Sequence, residues 1–354
     1  MRASVLPIST TATLEDQLAL VDAELHNALM GTTKWNETRI PVIKGTFTRL
    51  LKNVTLLTSD ETTLPILEIG SDGKLASAKV LHKLTGLGVV ASNLTVDGLE
   101  SQVGDYPITV KKNDVGVLDF PDNSFSMLFG RAVLEHISDM DDFLLECDRV
   151  LEPGGVLYLD GGPLFFSPKG HHMAVKGATG THYGFDVMPD LLPNWCQLDL
   201  TEEQVFTHLT EVKEIDEEDA RIVSSYIFNT PEQNRMSASM VIDTFERSPF
   251  QNLAYDEMHV KKFTPPPHLV EKYGEFDLTC NGLAYYVQTG PKIDRPAPLH
   301  AAAEPPATAA PAPASEQPTP IPELMRQIAV QVPPLVWVYE NVSPLRKAYQ
   351  KFRG

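Results

Sequence analysis

The chain has 354 residues and a formal charge of −18 at pH 7, with 29 Lys and Arg against 47 Asp and Glu. That balance argues against a nucleic-acid partner, because a phosphate-binding face needs clustered basic side chains. Hydrophobic residues at 42% and charged residues at 21% are ordinary globular usage, and the length suffices for a core that needs no staples.

Cys147, Cys196 and Cys280 stand far apart without CxxC spacing, which argues against a disulfide framework or a zinc ribbon and for a reducing compartment. The opening "MRASVLPISTTATLEDQLAL" lacks the apolar run of a secretory signal, and no segment reaches the ~20 apolar residues of a membrane span. A cytoplasmic location is therefore expected.

Residues 1–60 read as a helical lead-in. Thr13 is a cap, Leu18, Val21 and Leu25 are an apolar stripe, and a second short helix is expected at 44–54, "KGTFTRLLKNV". Over 61–162 apolar strands alternate with amphipathic helices, the pattern of a parallel sheet covered on both faces. Strands are expected at 65–69, 88–92, 108–112, 125–129 and 156–160. The helix before the last strand has capping-box spacing at Ser138 and Asp141. Met140, Phe143, Leu144, Cys147, Val150 and Leu151 recur along its sheet-facing side. Pro153 cannot continue that helix, and Gly154 and Gly155 permit a sharp reversal.

Residues 163–291 read as a covering segment. It is irregular and rich in Pro and His, with short helical pieces such as "TEEQVFTHL", and a closing strand at "GLAYYVQTG". Residues 292–322 are a Pro/Ala linker expected to be extended. In the tail, 323–354, Leu345, Ala348, Tyr349 and Phe352 share a helical face, and five basic residues stand against two acidic ones, about +3. A helix docking on protein, or a weak foot on a membrane surface, is expected there.

The stretch 117–160, "VLDFPDNSFSMLFGRAVLEHISDMDDFLLECDRVLEPGGVLYLD", resembles the second half of a class I S-adenosylmethionine-dependent methyltransferase domain. The shared features are the Phe-Pro-Asp turn, the strand, the Leu134-Glu135-His136 step and the Arg-Val-Leu-x-Pro-Gly-Gly step. The resemblance implies a Rossmann-like, doubly wound and mostly parallel sheet, here with a substrate-covering insertion and a Pro-rich C-terminal extension. It also implies S-adenosylmethionine as cofactor, bound outside the carboxyl ends of the strands at the switch point of strand order.

By that resemblance the cofactor loop is "LPILEIGSDGKLASAKVL", in which Glu68, Gly70, Ser71, Asp72 and Gly73 follow the first strand. The glycines let the backbone approach the ligand, and the following helix N-terminus favours its carboxylate. The family pattern has three alternating glycines. Here either Asp72 replaces the middle one, or the loop is one residue shorter and Asp72-Gly73 matches a Gly-Asp-Gly variant, the reading preferred here.

The second strand normally ends in an acid that binds the ribose hydroxyls. Asn93 stands there and can accept a hydrogen bond without the charge, although a plain turn residue is also compatible. Asp114 and the Val115 backbone match the adenine position, with a surface role for Asp114 as the other reading. Arg131 matches the reactive end of the cofactor, or else closes a local salt bridge.

Glu135 and His136 are taken as packing and orienting residues. His171 and His172, in "DGGPLFFSPKGHHMAVKG", are the candidates for a catalytic base, with solvated loop histidines as the alternative reading. No metal site is expected, because no carboxylate–histidine ligand spacing accompanies them.

The segments "GPLFFSPKGHHM", "FNTPEQNRMSASM" and "EFDLTCNGLAYYV" look similar to a bacterial methyltransferase group associated with surface-glycan biosynthesis. That similarity implies a small-molecule or glycan hydroxyl as acceptor. The altered glycine loop, Asn93, and Ser126 in place of the family's usual Asp keep a second reading open, a methyltransferase-shaped binding module without turnover. A nicotinamide-dependent dehydrogenase is disfavoured, since no GxGxxG follows the first strand.

Overall fold

The computed structural model describes residues 12–113, 117–231 and 233–290. Two helices lead in, α1 (Leu14–Leu29) and α2 (Lys34–Asn53). The core follows as β1 (Ile66–Ile69), α3 (Ala76–Thr85), β2 (Val89–Asn93), β3 (Ile108–Lys112), β4 (Phe125–Gly130), α4 (Met140–Val150) and β5 (Leu151–Gly161). Next come β6 (Ala174–Lys176), β7 (His182–Gly184), α5 (Cys196–Asp199), α6 (Glu202–Thr207), α7 (Glu217–Asn229) and α8 (Ala238–Arg247). The described chain closes with β8 (Phe250–His259), α9 (Pro267–Tyr273), α10 (Glu275–Thr279) and β9 (Cys280–Thr289).

Seven strands form one sheet in the order β3-β2-β1-β4-β5-β9-β8. The first five run parallel, β9 runs antiparallel to β5, and β8 runs antiparallel to β9. This is the expected doubly wound, mostly parallel architecture. Strand order reverses at β1, so the crevice for a ligand lies beyond Ile69 and Gly130.

Each helix forms for a local reason and is held by what it buries. Thr13 and Asp16 close a reciprocal capping box on α1. Helix α2 begins ten residues before the expected 44 and runs through Pro41. The proline removes a helical N–H and costs about 3 kcal/mol. Ile40, Ile43, Phe47 and Leu50 are buried on the same helix, and at roughly 1.5–3 kcal/mol each they outweigh that cost. Phe47 stacks on Phe129, and Phe129 on Tyr158, so α2 is seated directly on β4 and β5.

The cap of α4 is Asp139, not the expected Ser138. Its carboxylate accepts from the Asp142 N–H at 3.1 Å. Pairing of β5 with β4 starts at Leu151, before Pro153, and resumes at Val156 opposite Met127. The Glu152–Gly155 segment is therefore a bulge within β5 rather than a turn preceding it. Gly155 is needed because a Cβ there would lie 2.9 Å from the Glu152 carbonyl.

Residues 163–279, expected to be irregular, hold α7, α8 and β8 and a core of their own, with Met173, Tyr183, Val205, Leu209 and Val223 buried. Strand β8 escaped notice because it is an edge strand. Gln251 to Tyr255 are all exposed, so no buried alternation marks them. Among the described residues no helix is long and apolar enough to cross a membrane. Cys147, Cys196 and Cys280 are free thiols, all buried. The linker 292–322 and the tail 323–354 lie outside the described residues.

Candidate functional site

Glu68 sits on β1 with 3% of its surface exposed and accepts from the Ser71 hydroxyl at 2.7 Å. Burial pushes its carboxyl up to about 8, with Asp72 adding to the rise while the Ser71 hydrogen bond and Arg131 oppose it. Beyond the strand, Gly70 takes φ +72°, and a Cβ there would meet Val133 Cγ2 at 2.7 Å. The Gly70 and Ser71 N–H groups both donate to the Ser92 carbonyl at 3.0 Å, folding the loop onto β2. Gly73 is different. A Cβ there meets nothing within 4 Å, so this part of the loop opens outward.

The loop's other contacts revise two expectations. Asp72 Oδ1 accepts from the Lys74 and Ala76 N–H groups at 2.9 and 3.3 Å, so the first N–H of α3, whose N-terminus was expected to take a ligand carboxylate, is already spent on a side chain. The Asn93 amide donates to the Ser71 carbonyl at 2.6 Å, and its oxygen accepts from the Leu94 N–H at 2.7 Å. Asn93 thus braces the glycine loop. Its acceptor oxygen is committed to backbone.

Three buried polar atoms around this loop have no partner: Asp72 Oδ2, Asn113 Nδ2 at the end of β3, and Arg131 Nε at the end of β4. Arg131 Nη2 stands 3.9 Å from Asp72 Oδ2, with the two side chains 10% and 7% exposed. Arg39 of α2 reaches the same place. Burial lowers its pKa to about 10, the Arg131 charge adds to the fall, and Asp72 and Asp186 oppose it. Such unpaired buried groups are costly unless a ligand or water completes them. Asp114 and Val115 lie outside the described residues.

The end of β5 organises the wall of the site. Asp160, 4% exposed, accepts from the Thr46 hydroxyl at 2.9 Å, the Tyr158 hydroxyl at 2.7 Å, the Ala132 N–H at 3.0 Å and Arg49 Nη2 at 3.2 Å. One carboxylate therefore ties α2 to the turn carrying Arg131. Ser126 lies at the opposite end of β4, where its hydroxyl donates to the Leu64 carbonyl at 3.1 Å. Its departure from the family pattern does not touch the crevice.

After β5 the chain runs through tight turns, with Ser167, Gly170 and His172 N–H groups bonded back to Leu164, Ser167 and Lys169 carbonyls. Gln197 donates to the Phe165 and Ser167 carbonyls at 2.8 and 2.9 Å, fixing the loop from outside. His171 is 2% exposed. Its Nδ1 accepts from the Met173 N–H at 3.2 Å, and burial, with the Lys169 charge, takes its pKa to about 3. It is neutral and a poor proton acceptor.

His172 stacks obliquely on His136, centroids 5.0 Å apart, and edge-on to Phe185 at 4.7 Å. Burial first, then His136 and His171, hold its pKa well below the usual range, so it too is neutral. Its Nδ1 is buried without a partner, as is Glu135 Oε2.

Of the sequence-derived candidates, the structure gathers Glu68, Gly70, Ser71, Asp72, Gly73, Asn93 and Arg131 around the ends of β1, β2 and β4. It places His172 against Glu135 and His136, and seals His171 apart. Arg39 and Asp160 escaped the sequence reading. An Asp ending a strand in "VLYLD" was a visible signal for the second, whereas nothing marked Arg39.

Residues 67–159 match the family model described as methyltransferase domain. The matched segment runs from β1 to β5 of the sheet described above. The chain is 30% identical over 118 residues to the ubiquinone biosynthesis O-methyltransferase of Paramagnetospirillum magneticum, covering 32% of this chain and 46% of that one. It is 28% identical over 141 residues to the protein of the same name from a Chelativorans strain, covering 36% and 55%. The chain spans about half the length of these curated relatives. Among solved structures, Haemonchus contortus phosphoethanolamine N-methyltransferase 2 in complex with S-adenosyl-L-methionine aligns at 15% identity with a TM-score of 0.42, covering 80% of this chain and 58% of that one.

Proposed function

We propose that this protein is an S-adenosylmethionine-dependent methyltransferase acting on a hydroxyl group of a small molecule or sugar. The observation that carries this reading is the set of buried polar atoms without hydrogen-bond partners, Asp72 Oδ2, Asn113 Nδ2 and Arg131 Nε, beyond the ends of β1, β3 and β4 and beside a loop that opens at Gly73. These atoms lie along the carboxyl edge of the sheet, in a segment that matches a methyltransferase domain and contains the switch point. The relatives' printed names supply oxygen as the acceptor atom. The similarity of the covering segment to glycan-biosynthesis enzymes supports a sugar.

The residues fit the cofactor. Glu68, Gly70, Ser71, Asp72, Gly73 and Arg131, with Asp114 and Val115, would hold it, Asn93 would brace the loop rather than touch the ligand, and Arg131 would supply positive charge for a carboxylate. When bound, the cofactor supplies a methyl group on a sulfonium that is already an excellent leaving group. The chain's work is therefore alignment and exclusion of water. Asn93 and Ser92 fix the loop, Asp160 fixes the Arg131 turn against α2, and the 163–279 segment covers the acceptor side. His171 is enclosed, whereas His172 stands beside Glu135 and His136; held neutral by burial, it would orient the acceptor hydroxyl by a hydrogen bond rather than take its proton. With buried free thiols, a cytoplasmic location and a small-molecule or glycan partner complete the reading.

The test is calorimetry with S-adenosylmethionine and S-adenosylhomocysteine, followed by a radiolabelled methyl-donor assay against fractionated cell extract. Binding with methyl transfer to an oxygen is expected. A folded protein that binds neither compound would overturn the reading, and binding without transfer would favour the module without turnover.

A further inference from the structure

We infer that Glu135, His136 and His172 form a site for one divalent transition-metal cation at the acceptor side of the crevice. One ligand atom from each lies within 4.8 Å of the others. The Glu135 carboxylate and His136 Nε2 are 3.9 Å apart, and the His136 and His172 rings are 5.0 Å apart at 47°. Bound to zinc at about 2.0–2.1 Å in tetrahedral geometry, such atoms stand roughly 3.3 Å apart, so the Glu135–His136 pair needs to close by roughly 0.6 Å and no pair by more than roughly 1.5 Å. Two imidazoles with one carboxylate suit Zn²⁺ or Co²⁺ over Mg²⁺, which prefers oxygen and retained water.

Independent observations point to a ligand here. Glu135 is 1% exposed, and its Oε2 has no partner, nor does the buried Nδ1 of His172. A carboxylate oxygen and an imidazole nitrogen buried without hydrogen-bond partners are costly in a dry site, and one cation between them resolves both. The turn carrying the first two ligands is held from outside. Asn234 donates its side-chain amide to the Leu134 carbonyl at 2.7 Å and its backbone N–H to the Glu135 carbonyl at 3.0 Å. Such bracing is what a ligand pair needs to keep its geometry. The third ligand arrives on the loop fixed by Gln197.

The site borders the cofactor loop, because Val133, two residues before Glu135, packs on Gly70. Three protein ligands leave a tetrahedral cation one open position. An acceptor hydroxyl placed there would bind through its oxygen. That last role rests on the proposed function, whereas cation binding does not.

The full chain, stripped with a chelator, is titrated calorimetrically with Co²⁺ and with Zn²⁺, and the Co²⁺ form is read by visible absorption. One cation per chain is expected. His136→Ala and His172→Ala should each weaken it by more than the roughly 10–100-fold that loss of an outer partner costs, and should abolish the Co²⁺ band. Glu135→Gln and His172→Gln, which keep volume, serve if the alanine variants fail to fold by circular dichroism. His182→Ala, exposed on β7, should leave binding unchanged. A folded chain that takes up no cation, or affinity unchanged in the folded cluster variants, overturns the inference. S-adenosylhomocysteine binding, measured on the same stripped samples, separates that failure from failure of the cofactor reading.

Discussion

The Asn93 side-chain amide donates to the Ser71 carbonyl at 2.6 Å and joins the end of β2 to the loop leaving β1. Where the family's pattern has an acid for the ribose, this chain has a brace. Asn93→Ala should weaken S-adenosylhomocysteine about 5–30-fold, the equivalent of one buried hydrogen bond and the loop order it maintains, about 1–2 kcal/mol. Asn93→Asp should not tighten binding, because it removes the donor and sets a charge against the Ser71 carbonyl. Calorimetry on both variants checks this, and tighter binding by the Asp variant would show that the diol, not the loop, is what the position serves.

Gly70 and Gly73 should behave oppositely. Gly70→Ala forces an L residue to φ +72° and a Cβ to 2.7 Å from Val133, so a loss of about 2 kcal/mol or more in urea unfolding is expected. Gly73→Ala meets nothing within 4 Å and should leave stability within about 0.5 kcal/mol. Its methyl group faces the opening, so cofactor affinity should fall while the melting curve stays put.

Asp160 carries a measurable share of stability. Asp160→Ala strands the Thr46 and Tyr158 hydroxyls and the Arg49 guanidinium. The ion pair is discounted because Arg49 is 30% exposed, and a loss of about 3 kcal/mol is expected. Thr46→Val removes one donor and should cost about 1 kcal/mol. Denaturant titration of both, beside wild type, gives the comparison.

Glu68 makes stability depend on pH. Its folded pKa of about 8 lies above the ordinary 4.5, so the native state holds a proton that the unfolded chain releases. That contribution is complete below 4.5 and is lost as pH rises through 8. Wild type should therefore lose a few kcal/mol (order of magnitude) relative to Glu68→Gln between pH 5 and pH 9. Parallel urea curves at pH 5, 7 and 9 measure the difference, and a constant gap would show that Glu68 is ionised when buried.

The two histidines of the Gly-His-His loop should separate in turnover. His172→Ala is expected to lower methyl transfer by about 10²-fold through a misplaced acceptor, with S-adenosylhomocysteine affinity little changed. His171→Gln should lower the melting temperature, since His171 is enclosed, and should cost the folded enzyme much less activity. Initial rates at saturating cofactor distinguish them.

What the sequence determined by itself is whatever depends on neighbours along the chain. Thr13 caps α1, the apolar runs at 66–69, 89–93 and 125–130 become buried strands, and the Phe-Pro-Asp to Pro-Gly-Gly block delivers the parallel sheet. Periodicity and turn chemistry are local, so they can be read without coordinates. Helix α2 shows the limit, because the expected helix began at 44, and only the burial of Ile40 and Ile43 carries it back through Pro41.

Tertiary structure alone decided the rest. Asn93 and Ser71, Asp160 and Thr46, and Glu135 and His172 are distant in sequence, and no spacing rule joins them. Which nitrogen is buried, which oxygen is already spent on backbone, and which histidine is sealed from its neighbour all follow from how the sheet's carboxyl edge brings separate loops together. Local pattern cannot encode that, because each group's chemistry is set by the surroundings that other segments supply.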